Sequence, residues 1–294
     1  MNKTVLMSGA EYFDDGDAIN VFMDSSVPVD VNKAISEHQQ IRNVLESAGV
    51  KVVKVDAPAG CQDGVYAANW ALIRDGKALM SRLPNTRAPE EAYALKYLKQ
   101  QGLEVLVLHE DVSRYSGQGD SLPCGDVVFT QSPYRTTVEA HKYLKEWLGF
   151  TEVIALETKP ARWFGFGPVK TNKVTGLPDS PTYDIDLALA VLKWPSKTEQ
   201  GLIAYAPSVF KKNSRRILAS YDKFDKIIVS KHEALKSFAL NLVSTGETVI
   251  INSGAPKFKA DLEAHGLIVK TLDLPELKKG GGSIRCTTLT LDWQ

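Results

Sequence analysis

The residues best suited to covalent chemistry lie near the end of the chain, in Gly280-Gly281-Gly282-Ser283-Ile284-Arg285-Cys286-Thr287-Thr288-Leu289-Thr290. Three successive glycines let a backbone pass close to a ligand and reach φ values that other residues avoid. They deliver a cysteine to the mouth of a short β-branched strand. Cys286 reads as a nucleophile, with Lys278, Lys279 and Arg285 at hand to depress its pKa by their charge. The plainer alternative is a glycine-rich turn in which Cys286 is an ordinary small apolar residue.

Three other loops carry more turn residues and short polar groups than solubility demands. Ala59-Gly60-Cys61-Gln62-Asp63-Gly64 runs into Val65-Tyr66-Ala67-Ala68-Asn69-Trp70, read as a buried strand with Asp63 before it and Asn69 at its far end. Tyr115-Ser116-Gly117-Gln118-Gly119-Asp120 places an acid after two glycines, and Pro181-Thr182-Tyr183-Asp184-Ile185-Asp186 sets two carboxylates two apart, on the same face of a strand. Taken singly, each acid is also what a solvated turn would show. Taken together with a thiolate, they suit a planar cation with an electrophilic carbon at its centre. Carboxylates grip a guanidinium through its N–H groups, the thiolate attacks the central carbon, and the same carboxylates repel phosphates and acyl anions. Gly117-Gln118-Gly119-Asp120 is not a dinucleotide fingerprint, because it lacks the GxGxxG spacing and no helix is expected to open there.

The elements that must position these residues repeat a single phrase. Asn32 to Ala48 carries apolar residues at helical spacing, Gly49 stops it, and Val50 to Val55 alternates like a strand. The phrase returns as Glu90–Gln101, Gly102 and Leu103–Leu108, then as Thr137–Leu148, Gly149 and Val153–Leu156. Later copies run from Pro256 through Gly266 into Leu267–Leu272, and from Ser208 to Phe224 into Lys226–Val229 without a glycine. The glycines recur about every 50 residues, a period typical of arrays and propellers. Each unit also offers a second strand-like piece: Val65–Ala68, Asp126–Thr130 or Ile185–Leu192. A β/α unit repeated about five times suits a closed ring, which removes edge strands and gathers the loops at one centre. A three-layer stack of βαβ units is the competing arrangement.

The totals bound the function classes. The 294 residues hold 35 Lys plus Arg against 35 Asp plus Glu, so no net field draws in nucleic acid or an anionic membrane. No apolar run approaches the roughly 20 residues of a membrane span, and the opening residues are too quickly polar for a signal peptide; a cytoplasmic protein is expected. Cys61, Cys124 and Cys286 form no CxxC pair, which speaks against both a disulfide framework and a structural zinc site, so no metal or cofactor is expected.

At this point the chain resembles the guanidino-modifying superfamily, the dimethylarginine dimethylaminohydrolases, arginine and agmatine deiminases, arginine dihydrolases and amidinotransferases. The resemblance runs through Ile19-Asn20-Val21-Phe22-Met23, Asp63 to Leu72, Gly117-Gln118-Gly119-Asp120, Tyr134-Arg135-Thr136, Tyr183 to Leu192 and Gly280 to Leu291. It implies an α/β fold of pentein type over residues 1–294 as a single domain, a five-bladed α/β propeller of ββαβ repeats. It also implies a small-molecule substrate like arginine and a Cys286-linked amidino intermediate, leading to hydrolysis or amidino transfer. By resemblance Asp63 and Asn69 hold the guanidinium from one side and Asp186 from the other. Arg135, with Arg82 or Arg87, binds a substrate carboxylate, Asn20 and Gly280 line the mouth, and Asp120 braces the site or contacts the substrate.

Two departures from the family pattern stand out. The family usually reads Tyr-His-x-Asp where this chain reads Tyr183-Asp184-Ile185-Asp186, and Glu-Gly-x-Gly-Asp where this chain has Ser116 in place of the acid. The histidine that carries protons and the glutamate that orients it are therefore both absent. Asp184 could carry the proton instead, another histidine, His109 first among them, could enter the site, or the chain could bind a guanidine without turnover. The glycine- and proline-rich stretch from Arg162 to Pro181 reads as a long loop able to cover the site. Trp147, Trp163, Phe164 and Phe166 would serve buried packing, a lid or the face of a homodimer.

Overall fold

A computed structural model describes residues 1–292. Among the described residues, fifteen short strands make five three-stranded sheets. The first sheet takes β1 (Thr4–Met7) and β2 (Lys51–Lys54) from the start of the chain. The second holds β3 (Ala71–Arg74), β4 (Lys77–Met80) and β5 (Glu104–Leu106); the third, β6 (Ser121–Cys124), β7 (Val127–Gln131) and β8 (Glu152–Leu156). The fourth holds β9 (Leu189–Lys193), β10 (Gly201–Tyr205) and β11 (Phe224–Ile228), and the fifth β12 (Val243–Ser244), β13 (Thr248–Asn252) and β14 (Ile268–Leu272). Finally β15 (Leu289–Thr290) returns to complete the first sheet, on the far side of β1 from β2.

Every sheet has the same plan. An inner strand pairs antiparallel with a middle strand, which pairs parallel with an outer one after a helical crossover. This is the expected five-bladed α/β architecture with its ββαβ repeat, and the three-layer alternative falls away. A parallel pair needs such a crossover, because a tight turn can join only antiparallel strands.

The repeated phrase has a physical basis in the crossover helices. Helix Val31–Ser47 is capped by Asp30, whose side chain accepts from the Lys33 N–H at 3.1 Å. At its other end Gly49 takes φ 83°, while the N–H groups of Gly49 and Val50 return to the carbonyls of Glu46 and Leu45. That pattern uses the orphan carbonyls of the last turn and favours glycine. Helix Lys212–Ser220 of the fourth blade ends without it, because Tyr221 turns directly into extended backbone.

The inner strands differ from what the sequence suggests. Val65–Ala68 is not a strand: a 3-10 turn, Ala67–Trp70, stands there and the strand begins at Ala71. Ile185–Leu187 is likewise a 3-10 turn ahead of β9, so Asp184 and Asp186 do not share a strand face. A single helical turn, Gly117–Asp120, also opens where none was expected.

Blade meets blade through buried apolar side chains. Leu122, Phe129, Ile154, Leu189, Val191, Ile203, Val249 and Ile251 join blades three, four and five in one core. Val5 and Met7 pack with Val243 and Ile250, so the fifth blade closes on the first. No helix among the described residues is long and apolar enough to cross a membrane. Trp163, Phe164 and Phe166 are exposed rather than packed, on a stretch pinned to the N-terminal segment where Asn172 Nδ2 donates to the Ala18 carbonyl at 2.9 Å.

Candidate active site

Each inner strand is reached through a tight turn, and each turn leaves a buried polar side chain one to three residues before the strand begins. The five are Asn69, Asp120, Asp186, Asn241 and Cys286. Ring closure brings them to a common centre, joined by Asp63 from the loop ahead of Asn69 and by Asp184. Of the residues singled out in the sequence, Cys286, Asp63, Asn69, Asp120, Asp184 and Asp186 are all nine-tenths buried or more.

Cys286 Sγ donates to Asp186 Oδ2 at 3.3 Å and accepts from Asn241 Nδ2 at 3.1 Å. Asp186 Oδ1 has no hydrogen-bond partner although it is buried. Burial pushes the Cys286 thiol well up, and the carboxyls of Asp186 and Asp184 push it further, while the Asn241 N–H pulls the other way. The expected help from Lys278 and Lys279 is missing. Lys279 is turned to the Pro28 carbonyl and Glu276, and Lys278 to Asp273. Arg285 instead reaches Gln118 Oε1 at 2.7 Å and Thr290 Oγ1 at 2.9 Å, and burial lowers its pKa to about 10. Cys286 thus rests as a thiol among acids rather than a thiolate among cations.

The glycines before it serve close approach. A Cβ on Gly282 would lie 2.9 Å from the Cys286 Cβ and 2.6 Å from the Tyr66 ring, distances that side chains essentially never reach. The Gly280 carbonyl accepts from Asn20 Nδ2 at 2.9 Å, which fixes both at the rim of the centre. Tyr183 Oη donates to the neighbouring Gly281 carbonyl at 2.7 Å.

The carboxyls are held in an environment that favours their neutral forms. Burial raises Asp63 to about 6, and burial with the adjacent Asp184 raises Asp186 to about 8. Asp120 is raised by the same two causes, although its Oδ1 accepts the Ile185 N–H at 3.1 Å. Asp184 is raised by burial against the opposing pull of Arg135, Asn69, Arg87 and Ser116. A guanidinium among these groups would replace several protons with one cation.

The two departures from the family pattern meet in space. Ser116 Oγ donates to Asp184 Oδ1 at 3.1 Å, and Asn69 Nδ2 donates to Asp184 Oδ2 at 2.8 Å and to Ser116 Oγ at 2.8 Å. The two positions are therefore joined by a direct hydrogen bond across the centre. Asn69 Oδ1 accepts from Arg87, and its side chain is spent on Ser116, Asp184 and Arg87 rather than left open to a guanidinium.

Three expectations need correction. Arg87 is wholly buried, forks onto Glu90 at 2.8 and 2.7 Å, and gives its other donors to Asn69 Oδ1 and the carbonyls of Asp63 and Tyr66. Buried and bound in this way, it is committed to the fold rather than to a substrate carboxylate. Arg82 donates to the carbonyls of Leu108, His109 and Val112, holding the loop beside β5. His109 is exposed and its ring packs on Tyr143 and Trp147, away from the centre. Arg135 does reach the site: its guanidinium lies 4.8 Å above the Tyr183 ring and donates to the Ile19 carbonyl, next to Asn20. Asn241 was missed in the sequence, where it reads as a polar break in Phe238-Ala239-Leu240-Asn241-Leu242-Val243. Its place before the fifth inner strand, matching Asn69 and Asp186 before theirs, is the signal that finds it.

No family profile matches the chain. It is 32% identical over 277 residues to N(G),N(G)-dimethylarginine dimethylaminohydrolase of Mycobacterium tuberculosis, covering 93% of this chain and 81% of that one. It is 24% identical over 289 residues to the bifunctional arginine dihydrolase/ornithine cyclodeaminase ArgZ of Synechocystis, a match to 97% of this chain but 37% of the longer protein. Among solved structures, the N-terminal domain of ArgZ covalently bound to a reaction intermediate superposes with a TM-score of 0.83 at 23% identity, over 99% of this chain and 98% of that one. A dimethylarginine dimethylaminohydrolase adduct with S-methyl-L-thiocitrulline gives a TM-score of 0.72 at 18% identity, over 98% and 99%. These named relatives are enzymes, and none of them favours binding without turnover. On that identity and coverage, the chain belongs to the guanidino-modifying family of dimethylarginine dimethylaminohydrolases and arginine dihydrolases.

Proposed function

We propose that the protein is a cysteine-dependent hydrolase acting on the guanidino carbon of arginine or an arginine derivative, through an amidino group carried on Cys286. The observation that carries this reading is the Cys286 thiol set 3.3 Å from Asp186 within a ring of buried carboxyls.

The substrate guanidinium docks against Asp63 and Asp186, whose acids ionise as the cation arrives. Its positive charge offsets the carboxylate field that keeps the thiol protonated, and the Cys286 proton passes to Asp186 Oδ2. Sγ attacks the central carbon, and the tetrahedral adduct expels one nitrogen as an amine. That amine takes its proton from Asp184, which burial holds toward the neutral form between Ser116 and Asn69. Water then attacks the S-linked carbon, gives a proton back to Asp184, and the C–S bond breaks to restore the thiol. For arginine the balance is arginine plus water to citrulline plus ammonia. Arg135 meets the α-carboxylate, one of its donors resting on the Ile19 carbonyl.

The test is product formation from arginine and from N(G),N(G)-dimethylarginine, with Cys286→Ser beside the parent. Citrulline from the parent and a loss of at least ~10³-fold in the variant are expected. Turnover that survives Cys286→Ser sinks the mechanism. Absence of product from either compound, with arginine still raising the melting temperature, replaces the hydrolase with a guanidine-binding protein.

A further inference from the structure

Asn241 combines two tasks on one carboxamide. Its Oδ1 accepts the backbone N–H groups of Ser283 at 3.0 Å, Arg285 at 3.1 Å and Cys286 at 3.2 Å. Its Nδ2 donates to Cys286 Sγ at 3.1 Å. The residue is fully buried, so these bonds are not shared with solvent. The orientation of the amide follows from chemistry: three N–H donors on one side require the oxygen there, which leaves the NH₂ facing the sulfur. A buried N–H aimed at sulfur stabilises the anion more than the neutral thiol, since hydrogen bonds to charged acceptors are the stronger ones. Asn241 Nδ2 is thus a neutral side-chain donor in contact with Sγ, acting in the same direction as the Ser283 backbone N–H.

We propose that Asn241 is a catalytic residue of this site, whose Nδ2–H holds the Cys286 thiolate once the thiol proton has moved to Asp186 Oδ2, while its Oδ1 fixes the glycine-rich loop behind the nucleophile. This role rests on Cys286 being the nucleophile, as proposed above. The two tasks are separable, because one belongs to the oxygen and the other to the nitrogen.

The experiment follows alkylation of Cys286 by iodoacetamide against pH in the ligand-free protein, read on the Cys286 peptide by mass spectrometry. In that reaction the S–C bond forms, the C–I bond breaks with the electron pair leaving on iodide, and the thiol proton passes through Asp186 to solvent. Asn241→Asp keeps an acceptor for the three N–H groups but sets a carboxyl oxygen against the sulfur. Asn241→Ser removes the N–H donor without adding charge. Both variants, folded by far-UV circular dichroism, should move the midpoint of the alkylation profile up by about 1 pH unit or more, and slow alkylation at neutral pH by about tenfold. A purely structural role would change the melting temperature and leave the midpoint in place. A shift in Asn241→Asp alone would belong to the added charge and would overturn the proposal, as would profiles that overlay the parent. Alkylation reads the sulfur directly and needs no guanidine turnover. A parent that yields no product would therefore refute the hydrolase, while the profiles would still decide the role of Asn241.

Discussion

The buried acids make this site sensitive to pH in a direction opposite to that of a salt-bridged surface carboxylate. Asp63 is raised to about 6 and Asp186 to about 8, and Asp120 and Asp184 are raised with them. Between the ordinary carboxylate range and about 8, the folded chain therefore holds more protons than the unfolded one. Stability is greatest below that interval and is lost as pH rises through it. The melting temperature of the ligand-free protein should fall from about pH 5 to about pH 8, and Asp186→Asn should flatten the decline; an unchanged slope in that variant would remove Asp186 from the account. A guanidinium reverses the balance by favouring ionised carboxyls, so binding should release protons and tighten as pH rises. Titration calorimetry in two buffers of different ionisation enthalpy would show it, and equal apparent heats would contradict it. Asp184→Asn should lower kcat by about 10²-fold or more with a smaller change in KM, since the proposed proton donor is lost while the proposed cation grip at Asp63 and Asp186 persists. The acids and the cysteine were legible in the sequence because short polar residues beside glycines are conspicuous in an apolar background. Sequence does not show which charges are already occupied: Arg87 is taken by Glu90, three residues on, which forks with it.

At the scale of the elements, glycine separates what holds the fold from what makes room for chemistry. Gly49, at φ 83° with nothing within reach of an added Cβ, serves backbone conformation alone. Gly49→Ala should cost about 1 kcal/mol of stability and leave Cys286 reactivity untouched. Gly282→Ala would instead press on Tyr66 and on Cys286 itself, and should reduce Cys286 alkylation and turnover together. If the first substitution impairs the thiol more than the second, the assignment of the two glycines is wrong. The crossover helices and outer strands were legible because helical spacing followed by a left-handed glycine is a strong local signal. The inner strands were not. They are two to five residues long and almost wholly buried, so they show no alternation, and the polar turns before them look like strand residues with misplaced side chains.

The whole molecule explains why no single segment carries the site. Five blades contribute one turn each, and the centre exists only where all five meet. Without that closure Asn69, Asp120, Asp186, Asn241 and Cys286 belong to separate stretches of chain. The repeat period points to closure, whereas the partners across the centre, such as Ser116 with Asp184, are joined by the ring and not by sequence.

Closure itself is made by β15 pairing with β1, Val5 opposite Thr290 and Leu6 opposite Leu289. These are among the most distant pairings the chain can make, and contacts that close long loops tend to form late. Cys286, the proposed nucleophile, sits three residues ahead of that seam. During refolding from denaturant, helical signal should therefore return first, and protection of the buried Cys286 thiol from alkylation last, on a separate slower phase. The protein would then acquire its blades before its assembled centre, and an incompletely folded chain would leave Cys286 open to reagents that the closed ring keeps out.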